Sequence, residues 1–221
     1  MFQQNNPLVL WLWRTFTASS VATACCFTVQ GQCKTDQTNI NDSVTVAWTD
    51  KLIDALGEDN ACQVQRADDD QDRFTANTPC NIFAGRVMER MYAIKDFYVS
   101  PPQENKPYYL ASEIGTLLQT GVWDGWTDLG TADSQDVLNS AKTAADAGKA
   151  VIAVWVNPDA NSPGHVALIG PGPLMHSATW NEDTPPAASL SLGNVGSGFL
   201  GKPLSCAFSS KKAPDVHIWT H

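Results

Sequence analysis

The sequence predicts an α+β fold, with helices in the first part of the chain and antiparallel strands in the second. Apolar residues recur at helical spacing in residues 43–56, from residue 80 onward and again in 134–148. Two short β-branched apolar runs follow, 150–157 and 164–170, joined by a turn-rich segment. Strands joined by a hairpin connection pair antiparallel, which argues against a doubly wound parallel sheet.

Length and charge limit the class of protein. The 221 residues are 43% hydrophobic and carry a formal net charge of −9, which is enough apolar content for one substantial core. We expect one domain over residues 41–221, preceded by an extension, residues 1–40, that is helical and packs on the domain. A nucleic-acid partner is not expected, because phosphate contacts need clustered basic residues and the chain holds only 14 Lys and Arg.

The N-terminal segment is read as part of the folded protein. Its apolar run, Leu8 to Trp13, is short, has no basic residue before it and is followed directly by Arg14. These features favour a packed helix over a cleaved signal peptide. No stretch approaches the ~20 apolar residues of a membrane span, so stable membrane insertion is not expected.

The first helix is predicted over residues 43–56, with Ser43 as N-cap and Gly57 just past the end. Its expected buried face consists of Val44, Ala47, Trp48, Leu52, Ile53 and Leu56. The polar segment that follows is predicted as a loop. Alternating aspartates in this loop lack the glycine and terminal glutamate of a calcium loop, so we expect a solvated acidic turn and no metal at Asp68, Asp70 and Asp72.

A second helix is predicted from Cys80 onward, because one face collects Ile82, Phe83, Val87, Met91 and Ile94. A short helix from Tyr109 to Leu118 is expected next, followed by a loop, residues 120–130, that carries two tryptophans. Another helix ends at Gly148. Further strands are predicted at residues 188–193 and 215–221.

Cys80 and His165 are the residues best placed for chemistry. A thiol at a helix N-terminus faces the positive end of the helix dipole and unpaired backbone N–H groups, which favour the nucleophilic thiolate. The chain has four histidines, His165, His176, His217 and His221. His165 opens an apolar strand after a glycine and shares a strand face with Ala167 and Ile169. A histidine there can be anchored and still exposed, so it is the candidate base.

A family resemblance rests on these same motifs. "CNIFAGRVM" followed about 85 residues later by "GHVALIG", with the aromatic "WDGW" between them, resembles the papain-like cysteine hydrolases of the NlpC and CHAP type. The resemblance covers roughly residues 75–180. It implies a papain-like fold in which the nucleophile begins a helix packed on an antiparallel sheet.

The resemblance also implies roles for named residues. Cys80 would be the nucleophile, His165 the base and His176 the residue that orients the His165 ring, with Asn181 or Glu182 as alternatives to His176. Substrate-binding positions would be Asn81, Trp123 and Trp126. No cofactor and no metal are implied. The chain departs from the NlpC pattern around the cysteine, which leaves the second oxyanion donor open between Asn77 and Gln71.

The expected function is cleavage of an amide bond in peptidoglycan stem peptides by a cysteine amidase or endopeptidase. The resemblance extends to type VI secretion hydrolase effectors. It therefore implies an antibacterial toxin that is secreted by the producer and acts in the periplasm of the target cell. Expected partners are the peptidoglycan substrate, a cognate immunity protein and a secretion carrier or chaperone.

Two other functions stay open at this stage. The same fold and residues suit a deamidase or acyltransferase acting on a host or target-cell protein, since a fold does not fix the substrate. The third hypothesis is a non-enzymatic wall-binding module in which Cys80 is a small core residue. The remaining cysteines fit no zinc pattern and are expected to be structural thiols or bridges: Cys25, Cys26, Cys33, Cys62 and Cys206.

Overall fold

The computed structural model describes residues 42–56, 79–103, 106–190 and 198–221. These residues form an α+β structure, which confirms the predicted class. The helices are α1 (Ser43–Leu56), α2 (Pro79–Tyr92), α3 (Ala111–Gln119) and α4 (Gln135–Asp146). The strands are β1 (Tyr98–Gln103), β2 (Lys106–Tyr108), β3 (Thr127–Thr131), β4 (Val151–Trp155), β5 (His165–Ile169), β6 (Met175–Ser177), β7 (Glu182–Thr184), β8 (Pro186–Ser189), β9 (Phe199–Pro203) and β10 (Val216–Thr220).

Six of these strands form one antiparallel sheet in the order β3-β10-β4-β5-β8-β9. The buried hairpin predicted from the two apolar runs is its centre, with Val154 opposite Val166 and Trp155 opposite His165. Strand β10 lies between β3 and β4, so the last described strand is an interior strand. Two smaller antiparallel pairs, β1–β2 and β6–β7, lie outside this sheet.

Helices cover both faces of the six-stranded sheet. Helices α1, α2 and α3 share one apolar cluster with Ile152, Val154, Val166 and Leu168 of the central strands. Helix α4 packs on the other face, in a cluster with the alternate residues of the same strands, including Ala153, Ala167 and Ile169. The alternation of side chains along a strand produces this division. We call these the α2 face and the α4 face of the sheet.

Helix α1 has the predicted bounds, but its cap and its buried stripe differ from the prediction. Asp42, not Ser43, is the N-cap: its carboxylate accepts a 2.8 Å hydrogen bond from the Thr45 backbone N–H. Val44 is 50% exposed, and Ala47 is also exposed. The buried positions of this helix are Thr45, Trp48, Thr49 and Leu52.

Helix α2 buries most of the predicted apolar face, whereas Met91 is half-buried. Phe83, Ala84, Val87 and Met88 are fully buried, and the helix packs against strand β5 and helix α1. The helix ends at Tyr92 rather than near Ile94, because Ala93 adopts a left-handed backbone with φ 59°. The packing of α2 on β5 and α1 therefore fixes the position of its first turn.

Two segments predicted as irregular are strands. Thr127–Thr131, the end of the predicted tryptophan loop, forms edge strand β3 on β10. The segment after α2 forms the β1–β2 hairpin. Both were missed because their sequences are polar or proline-containing, and an edge strand needs no continuous apolar run. The predicted strand at 188–193 is described only in part, as the end of β8.

Other sequence-based expectations fall partly outside the described residues. The extension 1–40, the loop with its aspartates and four of the six cysteines lie there. Cys206, in a short 3₁₀ turn after β9, is disulfide-bonded, whereas Cys80 is not part of a disulfide. Within the described ranges, no helix has the length and apolar character to cross a membrane.

We predict that Phe83→Ala destabilises the protein by about 3–5 kcal/mol, because it removes a fully buried ring and leaves a cavity between α2 and the sheet. Denaturant unfolding followed by far-UV circular dichroism measures the change in free energy. Val122→Ala, at a side chain that is 62% exposed, is the control and should change stability by less than about 0.5 kcal/mol. A loss below about 1 kcal/mol for Phe83→Ala would contradict the described packing of α2.

Candidate active site

Cys80 is the second residue of helix α2 and lies on the α2 face of the sheet. Its position in the first helical turn is the one predicted from the sequence. The side chain is only 1% exposed and belongs to the apolar cluster that includes Val166 and Leu168 of strand β5. The thiol is therefore near the favourable end of the helix dipole but is shielded from solvent.

His165 is the first residue of strand β5 and lies on the α4 face. It pairs with Trp155 across the strands, and its ring packs edge-on against Phe208 with centroids 5.2 Å apart. Its Nε2 shares a 2.7 Å hydrogen bond with the hydroxyl of Ser189, a fully buried residue of β8. Trp155 and Phe208 both belong to the apolar cluster of the α4 face.

The two candidate residues are at the same end of the sheet. The Asn81 side chain donates a 2.9 Å hydrogen bond to the carbonyl of Tyr109, just before helix α3. Ser112, in the first turn of α3, lies directly against Gly164, the residue before His165. The start of α2 is thus linked through the start of α3 to the start of β5.

The structure nevertheless does not bring Cys80 and His165 together. Their side chains belong to opposite faces of the sheet, and the pairing of His165 with Trp155 fixes the direction of the ring. A change of rotamer does not move a strand residue to the other face. The Cys80–His165 dyad implied by the family resemblance is not assembled in the described arrangement.

The surroundings of His165 favour the neutral ring. Burial, and secondarily the positive charge of Lys212, lower the pKa of His165 to about 4. Lys212 itself lies over the Trp155 ring, 3.5 Å from its centroid, and burial lowers its pKa. A thiolate–imidazolium pair needs a protonated ring, and this pocket opposes protonation.

His176 lies in strand β6 of the separate β6–β7 hairpin. It is 65% exposed, and its Nδ1 is 3.0 Å from a carboxylate oxygen of Asp183. Asn181 forms the turn of this hairpin with φ 57°, and Glu182 begins β7. The hydrogen-bond partner described for His165 is Ser189 and that of His176 is Asp183, so the orienting role remains a prediction.

The predicted substrate-binding tryptophans are held by aromatic packing. Trp123 contacts the rings of Phe97 and Tyr109 at centroid distances of 5.5 and 5.8 Å. Trp126 stacks on Phe97 and donates a 2.9 Å hydrogen bond from its indole N–H to Asp96. Both indoles are partly buried and pack against the cluster that contains Cys80. The three predicted substrate-binding residues are therefore on the side of the sheet where Cys80 lies.

Several polar partners were not expected from the sequence. Ser189 and Asp183 bind the two predicted histidines, and Asp128 binds His217 at 3.0 Å. Each of these pairs joins residues on different strands, so a single strand pattern carries no signal for them. The oxyanion candidates Gln71 and Asn77 lie outside the described residues. Within the described ranges, no three His, Cys, Asp or Glu residues are grouped as metal ligands.

Comparison with known proteins adds no identification. No protein-family model matches the chain, and a search of curated proteins finds no significant relative. The resemblance to papain-like hydrolases therefore depends on the motifs of this sequence alone.

We predict that the His165 ring titrates at about pH 4 in NMR spectra of the folded protein, because burial and Lys212 disfavour its charged form. Lys212→Met should raise this pKa, and the control Lys211→Met, at an exposed neighbour, should leave it unchanged. An unfolded histidine titrates near ~6.5, so the unfolded chain takes up this proton first as the pH falls. His165 therefore lowers the free energy of unfolding progressively from about pH 6.5 to about pH 4. A ring that titrates near ~6.5 in the folded state would contradict the described environment.

Proposed function

We propose that the protein is a cysteine hydrolase that cleaves an amide bond in peptidoglycan stem peptides, with Cys80 as nucleophile. The observation that carries the proposal is that Cys80 begins a helix anchored on an antiparallel sheet, at the end of that sheet where His165 begins strand β5. The chain order of cysteine helix followed by histidine strand is that of the papain-like NlpC and CHAP hydrolases. The finer assignment to a papain-like fold is part of this proposal.

In the proposed reaction the Cys80 thiolate attacks the carbonyl carbon of the substrate amide. The new C–S bond forms a tetrahedral intermediate, and the backbone N–H of Cys80 helps to hold its oxyanion. The His165 imidazolium gives its proton to the amine as the C–N bond breaks. Water then attacks the thioester, gives a proton to the imidazole and releases the carboxylic acid.

This reaction has one structural requirement. The His165 ring must reach the thiol, whereas in the described arrangement it lies on the α4 face and binds Ser189. The reactive form therefore differs from the described one at this end of the sheet. It separates His165 from its strand partner Trp155 as well as from Ser189 and Phe208, and it exposes Cys80 to the substrate.

The biological setting follows from the resemblance to type VI secretion hydrolase effectors of the TseH kind. We propose that the protein is an antibacterial toxin that acts on peptidoglycan in the target-cell periplasm. A producer of such a toxin needs a cognate immunity protein and a secretion carrier or chaperone, and these are the proposed partners. His176 is proposed to orient His165 in the reactive form.

We predict that wild-type protein directed to the periplasm of a test bacterium generates new muropeptides with a cleaved stem-peptide amide. Cys80→Ala and His165→Ala should reduce this cleavage by roughly 10³-fold or more, because each removes a group that acts in the chemical step. Mass spectrometry of digested sacculi measures the products, and circular dichroism verifies folding. Lys149→Ala, at an exposed residue outside the proposed site, is the control and should retain activity. Cleavage by the Cys80→Ala variant, or no new product from wild type, would contradict the proposal.

The second candidate function is a wall-binding module without catalysis. It is favoured by the 1% exposure of Cys80 and by the separation of Cys80 from His165 across the sheet. In this alternative Cys80 is a small core residue, and binding to the wall would depend on the surface around the tryptophan loop.

Thiol reactivity distinguishes the two candidates. We predict that iodoacetamide at neutral pH modifies Cys80 in the native hydrolase, because an activated thiolate is nucleophilic and the reactive form exposes it. Peptide mapping of the alkylated protein measures the modification, with the denatured protein as the reference for full labelling. If Cys80 is modified only after denaturation, the thiol is a core residue and the wall-binding function is preferred.

A further inference from the structure

A cavity of about 480 Å³ lies at the far end of helix α2 from Cys80. It is bordered by the start of α1, the last turn of α2, the end of α4 and Pro171, which follows strand β5. Its volume is within the range of about 300–1,000 Å³ that small-molecule sites occupy. The cavity is thus a separate feature from the proposed catalytic end of the sheet.

Most of the cavity wall is apolar. Ala47 and Val44 come from α1, Met91 from α2 and Ala145 from α4. Val44 is 50% exposed, and it is one of three large apolar side chains that are exposed among the described residues. An apolar ligand body in the cavity would cover such a side chain and remove its surface from water.

The polar side chains at the cavity have groups that donate hydrogen bonds. Trp48 is only 5% exposed. Its indole N–H is buried and has no hydrogen-bond partner of good geometry. Tyr92 supplies a hydroxyl next to it: burial raises the pKa of Tyr92, and the neighbouring Trp48 indole partly offsets that rise. The indole N–H therefore points toward the Tyr92 oxygen, and the Tyr92 O–H remains to donate to a ligand acceptor.

The described wall of the cavity carries one charged side chain, the Lys51 ammonium. Lys51 lines the cavity, and its described wall contains no carboxylate. Three acidic residues adjoin wall residues along the chain. Asp42 is held by the Thr45 backbone N–H and hydroxyl. Asp146 is held by the Lys142 ammonium and by the Gly172 backbone N–H at 3.0 Å, and Asp50 is exposed. An anionic ligand group at the wall therefore meets the Lys51 ammonium and the Tyr92 hydroxyl, and the described wall contributes no carboxylate.

We propose that this cavity binds a small amphipathic carboxylate, with its apolar body against Val44, Ala47 and Met91 and its carboxylate at Lys51 and Tyr92. Trp48 supports the site by donating toward the Tyr92 oxygen, which leaves the Tyr92 O–H to bind the ligand. The site is independent of the proposed hydrolase function, because no residue is shared between them.

The test uses dodecanoate as probe and isothermal titration calorimetry of the full chain below the micellar concentration of the probe. We expect saturable one-to-one binding to wild type. Lys51→Met and Tyr92→Phe should each weaken it by about tenfold, since each removes one hydrogen bond to a charged group. Lys149→Met, at an exposed lysine outside this cavity, is the matched control and should bind like wild type.

A variant that fills the cavity distinguishes binding in the cavity from nonspecific adsorption of the probe to the protein surface. Ala47→Trp should fill the cavity and abolish binding, whereas Val46→Trp, at an exposed position of the same helix outside the cavity wall, should bind normally. Thermal unfolding verifies that both variants fold. Dodecyltrimethylammonium, which has the same tail and the opposite charge, should bind more weakly than dodecanoate. Absence of dodecanoate binding, equal binding of the two probes, or equal effects of the two tryptophan variants would overturn the proposal.

Discussion

The packing of helix α2 against strand β5 is the constraint on which the rest of the structure depends. Phe83, Ala84 and Val87 are fully buried there, beside Val166 and Leu168 of the strand. This contact places Cys80 at one end of the sheet and Tyr92 at the other. Burial of apolar surface on this scale tolerates little sliding or rotation of the helix, because the interior is close-packed. Both the candidate nucleophile and the cavity take their positions from it.

The same packing determines which face of the sheet His165 occupies. Strand β5 contributes alternate residues to the two faces, and the helix covers the face that holds Val166. His165 necessarily lies on the other face, where Ser189 and Phe208 surround the ring. Burial of the ring lowers the pKa of His165, although part of the residue is accessible to solvent. An active enzyme would have to exchange this stable, neutral environment for one that accepts the imidazolium.

The sequence predicts the fold correctly in the segments where apolar residues recur at a regular period and are buried. The ranges of α1 and the central hairpin follow from apolar periodicity, and the first turn of α2 follows from the apolar face that starts after Cys80. The apolar pattern mispredicts burial where burial depends on which other elements pack nearby. Val44 has helical spacing with Trp48, yet it is 50% exposed, because among the described elements none packs directly over it.

The candidate site shows the same division. The sequence groups His165 with Ala167 and Ile169, and the structure has that grouping. The sequence does not indicate on which face of the sheet helix α2 packs, because this depends on the path of the chain between α2 and strand β5. The partners of the histidines, Ser189 and Asp183, come from strand pairing and likewise carry no local signal.

The position of strand β10 has a consequence for how the protein reaches this state. Strand β3 has no other neighbour in the sheet, and its contact with β10 joins Asp128 to His217, residues 89 positions apart. During synthesis, β3 and β4 therefore emerge from the ribosome long before the strand that separates them. The chain loses loop-closure entropy before the contacts of β10 with β3 and β4 can form and offset that loss. We therefore expect the sheet to be completed slowly and late in folding. Until then β4 presents an open apolar edge, a state that is exposed to non-native strand pairing.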